Sequence, residues 1–158
     1  MSSYNAIRFA HETADKYIER AGLVCTMHRR PLKVRVLAGI IDKLPDTQKE
    51  DIIQKGPIHI FAVTEGNDII FDIRGLERYW SIDVEKAKLL VAFAVAHELA
   101  HVQGDYSEDN ANRFAEKMTG MSNEGFLKLS LELVKIGHKR NSAIKSLANQ
   151  AQVSGTIP

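Results

Sequence analysis

The stretch V-A-F-A-V-A-H-E-L-A-H-V-Q-G, Val91–Gly104, decides how the rest of the chain is read. It sets His97 and His101 four residues apart, with Glu98 directly after the first histidine. On an α-helix, residues at i and i+4 lie one turn apart on the same face, so both imidazoles can converge on one point. Two neutral imidazole nitrogens meeting there make half of a tetrahedral zinc shell. Glu98 lies about 100° further round the helix and need not bind the metal. It would flank the open coordination position, where it could accept a proton from water, as a metal-assisted hydrolase requires.

A buried helix that happens to carry two histidines is the competing explanation. The residues before the motif, L-L-V-A-F-A-V-A from Leu89 to Ala96, are apolar on every side, so this helix runs through a core. Burying two histidines and a glutamate in such a helix is costly unless something satisfies them, and a metal would. The apolar run is eight residues, far short of the ~20 needed to span a bilayer, so no membrane segment is expected.

Outside the motif, the numbers exclude more than they assign. A chain of 158 residues is long enough for one domain with a real core, expected over residues 1–150 with 151–158 as a frayed C-terminal tail. A net charge of +1 with 26% charged residues gives no basic field for nucleic acid. The lone Cys25 cannot form an internal disulfide, which points to a reducing compartment. The N-terminus M-S-S-Y-N-A-I-R-F-A-H lacks a basic segment followed by an apolar core, so no signal peptide is read and a cytoplasmic location is expected. Nothing in the sequence sets the oligomeric state.

Working outward, the pattern predicts a mostly helical α+β fold with a small β-hairpin packed beside the motif helix. Ile7, Ala10, Ala14, Tyr17 and Ile18 recur at helical spacing from Tyr4 to Ala21, and Gly22 ends that helix. Leu32–Leu44 fits either period and is read as a helix ending at Pro45. Asp46 then caps a short helix through Gln54, closed by Gly56. From Pro57 the period becomes two: I-H-I-F-A-V-T and D-I-I-F-D-I-R, separated by E-G-N, read as a hairpin. Its exposed edge could hold an extended peptide through backbone hydrogen bonds, or the strands could simply cover the core. Gly75–Ile82, with the only tryptophan, reads as a loop, and Ser81 or Asp83 as the cap of the motif helix. Gly104 breaks that helix; Ser107 caps the next, whose apolar stripe is Ala111, Phe114, Ala115 and Met118. A further helix is expected over Ser122–Lys139 and a last short one over Asn141–Gln150. His11, His28 and His59 are read as ordinary surface or core residues.

Catalytic zinc usually takes three protein ligands and leaves the fourth position to water. A motif of the form H-E-x-x-H-x-x-G-x-x-H would need histidine at position 107; the chain has Gly104 but Ser107. Three carboxylates remain: Asp105, Glu108 and Asp109. Asp105 sits in the turn and could serve as a cap. Asp109 points about 100° away from Glu108, towards solvent if the Ala111/Phe114 stripe faces the core. Glu108 begins the helix that folds back, and Asn112, one turn on, could hydrogen-bond an imidazole N–H and fix its orientation. Glu108 is preferred, with Asp109, Asp105 and a two-histidine site left open.

H-E-L-A-H at 97–101 followed by E-D-N-A-N-R-F-A-E at 108–116 resembles the ImmA/IrrE-type metallopeptidases, small relatives of the thermolysin-like gluzincins. The likeness covers roughly Leu90 to Met118. It implies a minimal zincin fold, zinc held by His97, His101 and Glu108, Glu98 as base, and a protein or peptide substrate. Members of that family commonly sit in bacteria or their phages, where several cleave a transcriptional repressor. The expected function is a zinc-dependent endopeptidase acting on an intracellular protein. The alternative is a catalytically silent zincin-like module that binds a protein partner or acts as a sensor. Tyr106 and His138 are the candidates for stabilising an oxyanion. Imidazole and carboxylate ligands also suit other divalent metals.

Overall fold

The computed structural model describes residues 2–25, 29–41 and 62–153. Along the chain these form α1 (Ser2–Ala21), β1 (Arg35–Gly39), β2 (Ala62–Glu65), β3 (Asp68–Asp72), α2 (Ile73–Ile82), α3 (Val84–Val102), α4 (Glu108–Thr119) and α5 (Asn123–Val153). The fold is mostly helical α+β with one small sheet, as the periodicity predicts. The expected short helix Asp46–Gln54, the first residues of the expected hairpin, His28 and His59 lie outside the described residues.

The motif helix α3 is the centre of the packing. Leu90, Val91, Phe93, Ala94, Val95, Ala96, Leu99 and Ala100 are all buried, which takes in nearly every direction around the helix axis. Other elements supply the cover: α1, α2, α4, α5, β2 and β3 all contact it. Ala6, Ala10 and Ala14 are fully buried on α1, and these small side chains let that helix approach closely. Phe93 of α3 stacks on Phe126 of α5 with ring centroids 4.7 Å apart, and Phe9 of α1 meets Trp80 of α2 at 5.9 Å. Among the described residues no helix is long and apolar enough to cross a membrane.

Three expectations about individual elements are corrected. The segment after Leu32 forms a strand where a helix was expected. Leu32, Val34 and Val36 are buried and alternate with exposed Lys33, Arg35 and Leu37, so burial follows a period of two. β1 pairs in parallel with β3, with Val36 opposite Ile69, and β2 pairs antiparallel on the other side of β3. Among the described residues the sheet order is β1-β3-β2, a three-stranded mixed sheet containing the expected hairpin, with β2 at one edge.

The segment expected as a loop, Gly75–Ile82, belongs to helix α2. Asp72 caps it by accepting from Arg74 N at 3.0 Å, and Leu76, Tyr79 and Trp80 form a buried stripe at helical spacing. Gly75 falls in the first turn and does not break it. The two helices expected at the C-terminus are one: α5 runs unbroken through Gly137 and Asn141. Gly137 lies close to α2: a Cβ at this position would come within 2.9 Å of Ile82 Cδ1, the far end of that side chain.

Candidate metal centre

Three elements meet at the motif. α3 is capped by Asp83, whose side chain accepts from Lys86 N at 3.1 Å, so of the two expected caps it is Asp83 that acts. The helix ends at Val102, and Gly104 then takes φ 92, a left-handed conformation that disfavours any residue with a Cβ. The chain turns sharply and α4 begins at Glu108, with Ser107 as its cap, accepting from Asn110 N at 3.2 Å. The return is short enough to carry Glu108 back against the two histidines.

The two Nε2 atoms of His97 and His101 lie 3.2 Å apart, with the rings nearly perpendicular at 83°. Glu108 addresses both: Oε2 is 3.1 Å from His97 Nε2 and Oε1 is 3.0 Å from His101 Nε2. The remaining nitrogen of each ring is committed elsewhere. His97 Nδ1 is 2.8 Å from Asn112 Oδ1, and His101 Nδ1 is 2.8 Å from the Asp105 backbone carbonyl. A carbonyl oxygen only accepts, so His101 must donate from Nδ1. Asn112 presents its carbonyl oxygen to His97, which assigns the same tautomer there.

That assignment fixes the chemistry of the centre. In the neutral form, both Nε2 atoms are lone pairs pointing into a space shared with two carboxylate oxygens. Four acceptors converge on one space with no proton among them, a repulsive arrangement unless a cation lies between them. Burial is the largest influence on His97 and pushes its pKa below the ordinary histidine value, favouring the neutral ring. Protonation of the histidines would convert the same geometry into an ion pair with Glu108. The donor set of two imidazoles and one carboxylate is one of those a catalytic zinc takes, so the residues present fit the metal that the sequence implies.

Glu98 belongs to the same cluster: one ligand atom each from His97, Glu98 and His101 all lie within 4.8 Å of one another. It differs from Glu108 in two ways. Glu98 is only 7% exposed, whereas the Glu108 side chain is 67% exposed and opens the cluster to solvent. Glu98 Oε2 also accepts a hydrogen bond from Thr64 Oγ1 on β2 at 2.5 Å. Burial raises the Glu98 pKa to about 7, against the hydrogen bond from Thr64 and the field of His101, which lower it. A carboxylate with a pKa near neutrality both accepts and returns protons at physiological pH.

The other candidates stand apart from this cluster. The Asp105 carboxylate accepts from Ser107 N at 3.0 Å and Asn110 Nδ2 at 3.1 Å, so it braces the turn. Asp109 is exposed and forms no hydrogen bond or ion pair with either histidine. Tyr106 is 85% exposed, and neither it nor His138 bonds to His97, Glu98, His101 or Glu108. His11 pairs at the surface with Asp15 at 3.5 Å. Two contributors were not legible in the sequence. The Asp105 carbonyl is a backbone atom and leaves no residue signal. Thr64 is 34 residues from Glu98 and is brought to it only by the packing of β2 on α3. Compared with known proteins, the chain matches no family model, no curated protein and no solved structure, so the site is read from its own geometry.

Proposed function

We propose that the chain is a zinc-dependent peptidase, with His97, His101 and Glu108 holding the metal and Glu98 acting as general base. The observation that carries this reading is the convergence of the His97 and His101 Nε2 atoms and both Glu108 oxygens on one space. Zinc held there would supply Lewis acidity, polarising a carbonyl and easing the loss of a proton from water. The chain's own residues do the rest. Asn112 and the Asp105 carbonyl hold the two rings in the tautomer that leaves Nε2 free. Glu98, poised near neutrality by burial, takes the proton of the attacking water and passes it to the leaving amine nitrogen.

A protein or peptide substrate follows from the resemblance to the ImmA/IrrE-type peptidases and from the β2 edge beside α3, which supports binding of an extended chain. A cytoplasmic location fits the lone Cys25.

Metal content of the purified protein tests the centre, with wild type beside His101→Ala and Glu108→Ala. About one zinc per chain, lost or weakened in both variants, is expected. No metal in the wild type after zinc is supplied would overturn the reading. Hydrolysis is tested with Glu98→Gln, which should keep the zinc and lose cleavage of unstructured protein substrates. Zinc binding without Glu98-dependent cleavage would favour the alternative, a silent zincin-like module that binds a protein partner.

A further inference from the structure

We propose that Thr64 is the positioning residue for Glu98: its hydroxyl, held on the edge strand β2, sets where the buried carboxylate points. This rests on the peptidase reading for its catalytic consequence, but its structural content stands on geometry alone. Thr64 Oγ1 lies 2.5 Å from Glu98 Oε2 and 3.2 Å from the Glu98 backbone carbonyl. One hydroxyl therefore bridges the side chain and the main chain of the same residue, closing a loop that a freely rotating glutamate would not hold.

The tie is informative because nothing else among the described residues provides it. A glutamate has three side-chain torsions, and fixing such a chain is entropically costly without a partner. Among the described residues, Thr64 gives the Glu98 carboxylate its only hydrogen bond; Oε2 is engaged and Oε1 carries none. Oε2 is thus the anchored atom and Oε1 the atom left available for a proton. The anchor comes from outside α3, from a strand packed against it, so the position of the base is set by the docking of the sheet onto the motif helix. A threonine suits this position because its β-branched side chain is conformationally stiff and favours a strand while still offering a hydroxyl.

Two replacements separate the hydroxyl from the shape of the side chain. Thr64→Val keeps the volume and branching and removes the donor; Thr64→Ser keeps the donor and removes a methyl. In crystal structures of the zinc-free proteins, the Glu98 carboxylate should leave its place, or split between rotamers, in Thr64→Val and keep its place in Thr64→Ser. In zinc-loaded protein cleaving a denatured casein probe, Thr64→Val should lower kcat by roughly 10- to 100-fold with KM little changed, as misplacement of a catalytic group does. Thr64→Ser should restore activity to within about threefold of wild type. Zinc content and melting temperature, measured in parallel, check that each variant is folded and loaded. A Glu98 carboxylate that stays in place in Thr64→Val overturns the proposal, whatever the activity. If wild type and Glu98→Gln cleave the probe alike, the peptidase reading fails, and the crystal structures still decide the role of Thr64.

Discussion

Replacing Glu98 with glutamine should change how the stability of the zinc-free protein depends on pH. Glu98 is 7% exposed, and its pKa is raised from the usual 4.5 to about 7, chiefly because burial penalises the carboxylate. Between those two values the native protein holds a proton that the unfolded chain has released. Stability then falls as pH rises, because the native state binds more protons than the unfolded one. Below about pH 4.5 both states are protonated and there is no penalty. Above pH 7 the penalty is complete, and at 1.36 kcal/mol per pH unit it reaches about 3 kcal/mol.

Glutamine carries no charge, is of nearly equal size, and still offers an oxygen to the Thr64 hydroxyl. His97 is shifted downward by burial, so its contribution runs the other way, with stability rising as pH increases through the ordinary histidine range. That contribution is present in both proteins and largely cancels in the comparison. Urea unfolding of wild type and Glu98→Gln, with chelator present, should therefore show glutamine gaining on glutamate by about 2–3 kcal/mol between pH 5 and pH 8. Against a total stability of about 5–15 kcal/mol the change is easily measured. A difference that stays constant within about 1 kcal/mol over that range would refute the reasoning, because Glu98 would then ionise like an exposed carboxylate.

Three other perturbations probe different parts of the structure. Asn112→Ala removes the acceptor 2.8 Å from His97 Nδ1, and zinc affinity measured by chelator competition should weaken by about 10- to 100-fold; unchanged affinity would show that this contact does not orient the ring. Tyr79 is fully buried, and its hydroxyl is without a hydrogen-bond partner among the described residues. Tyr79→Phe should therefore raise stability by about 1 kcal/mol in urea unfolding, and a loss of that size would reveal a partner for the hydroxyl. Residues 138–149 of α5 are exposed along their whole length. A chain ending at Asn141 should melt within about 2 °C of the full chain, and a loss of more than about 4 °C would mean that this part of the helix packs on something.

What the sequence revealed and what it hid divide along a physical line. His97, His101, Ser107, Glu108 and Asn112 act through local spacing on two adjacent helices, and local spacing is what a sequence displays. The β1 strand was also displayed, in the alternation of Leu32, Lys33, Val34, Arg35 and Val36. It was masked because Val36, Ile40 and Ile41 fit a helical period equally well. Gly75 and Gly137 look like breaks because glycine weakens a helix on average. Packing overrode that preference: Leu76, Tyr79 and Trp80 hold α2 to the core, and Gly137 admits Ile82. Thr64 could not be found from the sequence, since no local rule connects an edge strand to the side chain of a helix 34 residues later.

The placement of Glu108 shows how adjacency in sequence becomes convergence in space. His101 donates from Nδ1 to the Asp105 carbonyl, so the ring and the turn fix each other. The Asp105 carboxylate in turn accepts from Ser107 N and Asn110 Nδ2, bracing the first turn of α4 from outside. Ser107 caps the helix from within, and Glu108 becomes its first residue, where the helix dipole favours a negative charge. Every bond in this chain runs between residues 101 and 110, so the third candidate ligand is aimed by the turn itself and needs no distant support. Glu98 is the opposite case: its aim depends on Thr64, and so on the sheet being docked against α3. On the proposed reading, metal binding and catalysis therefore rest on different parts of the fold. A change that loosens β2 should reduce cleavage while leaving zinc in place, whereas a change in the Gly104–Ser107 turn should release both.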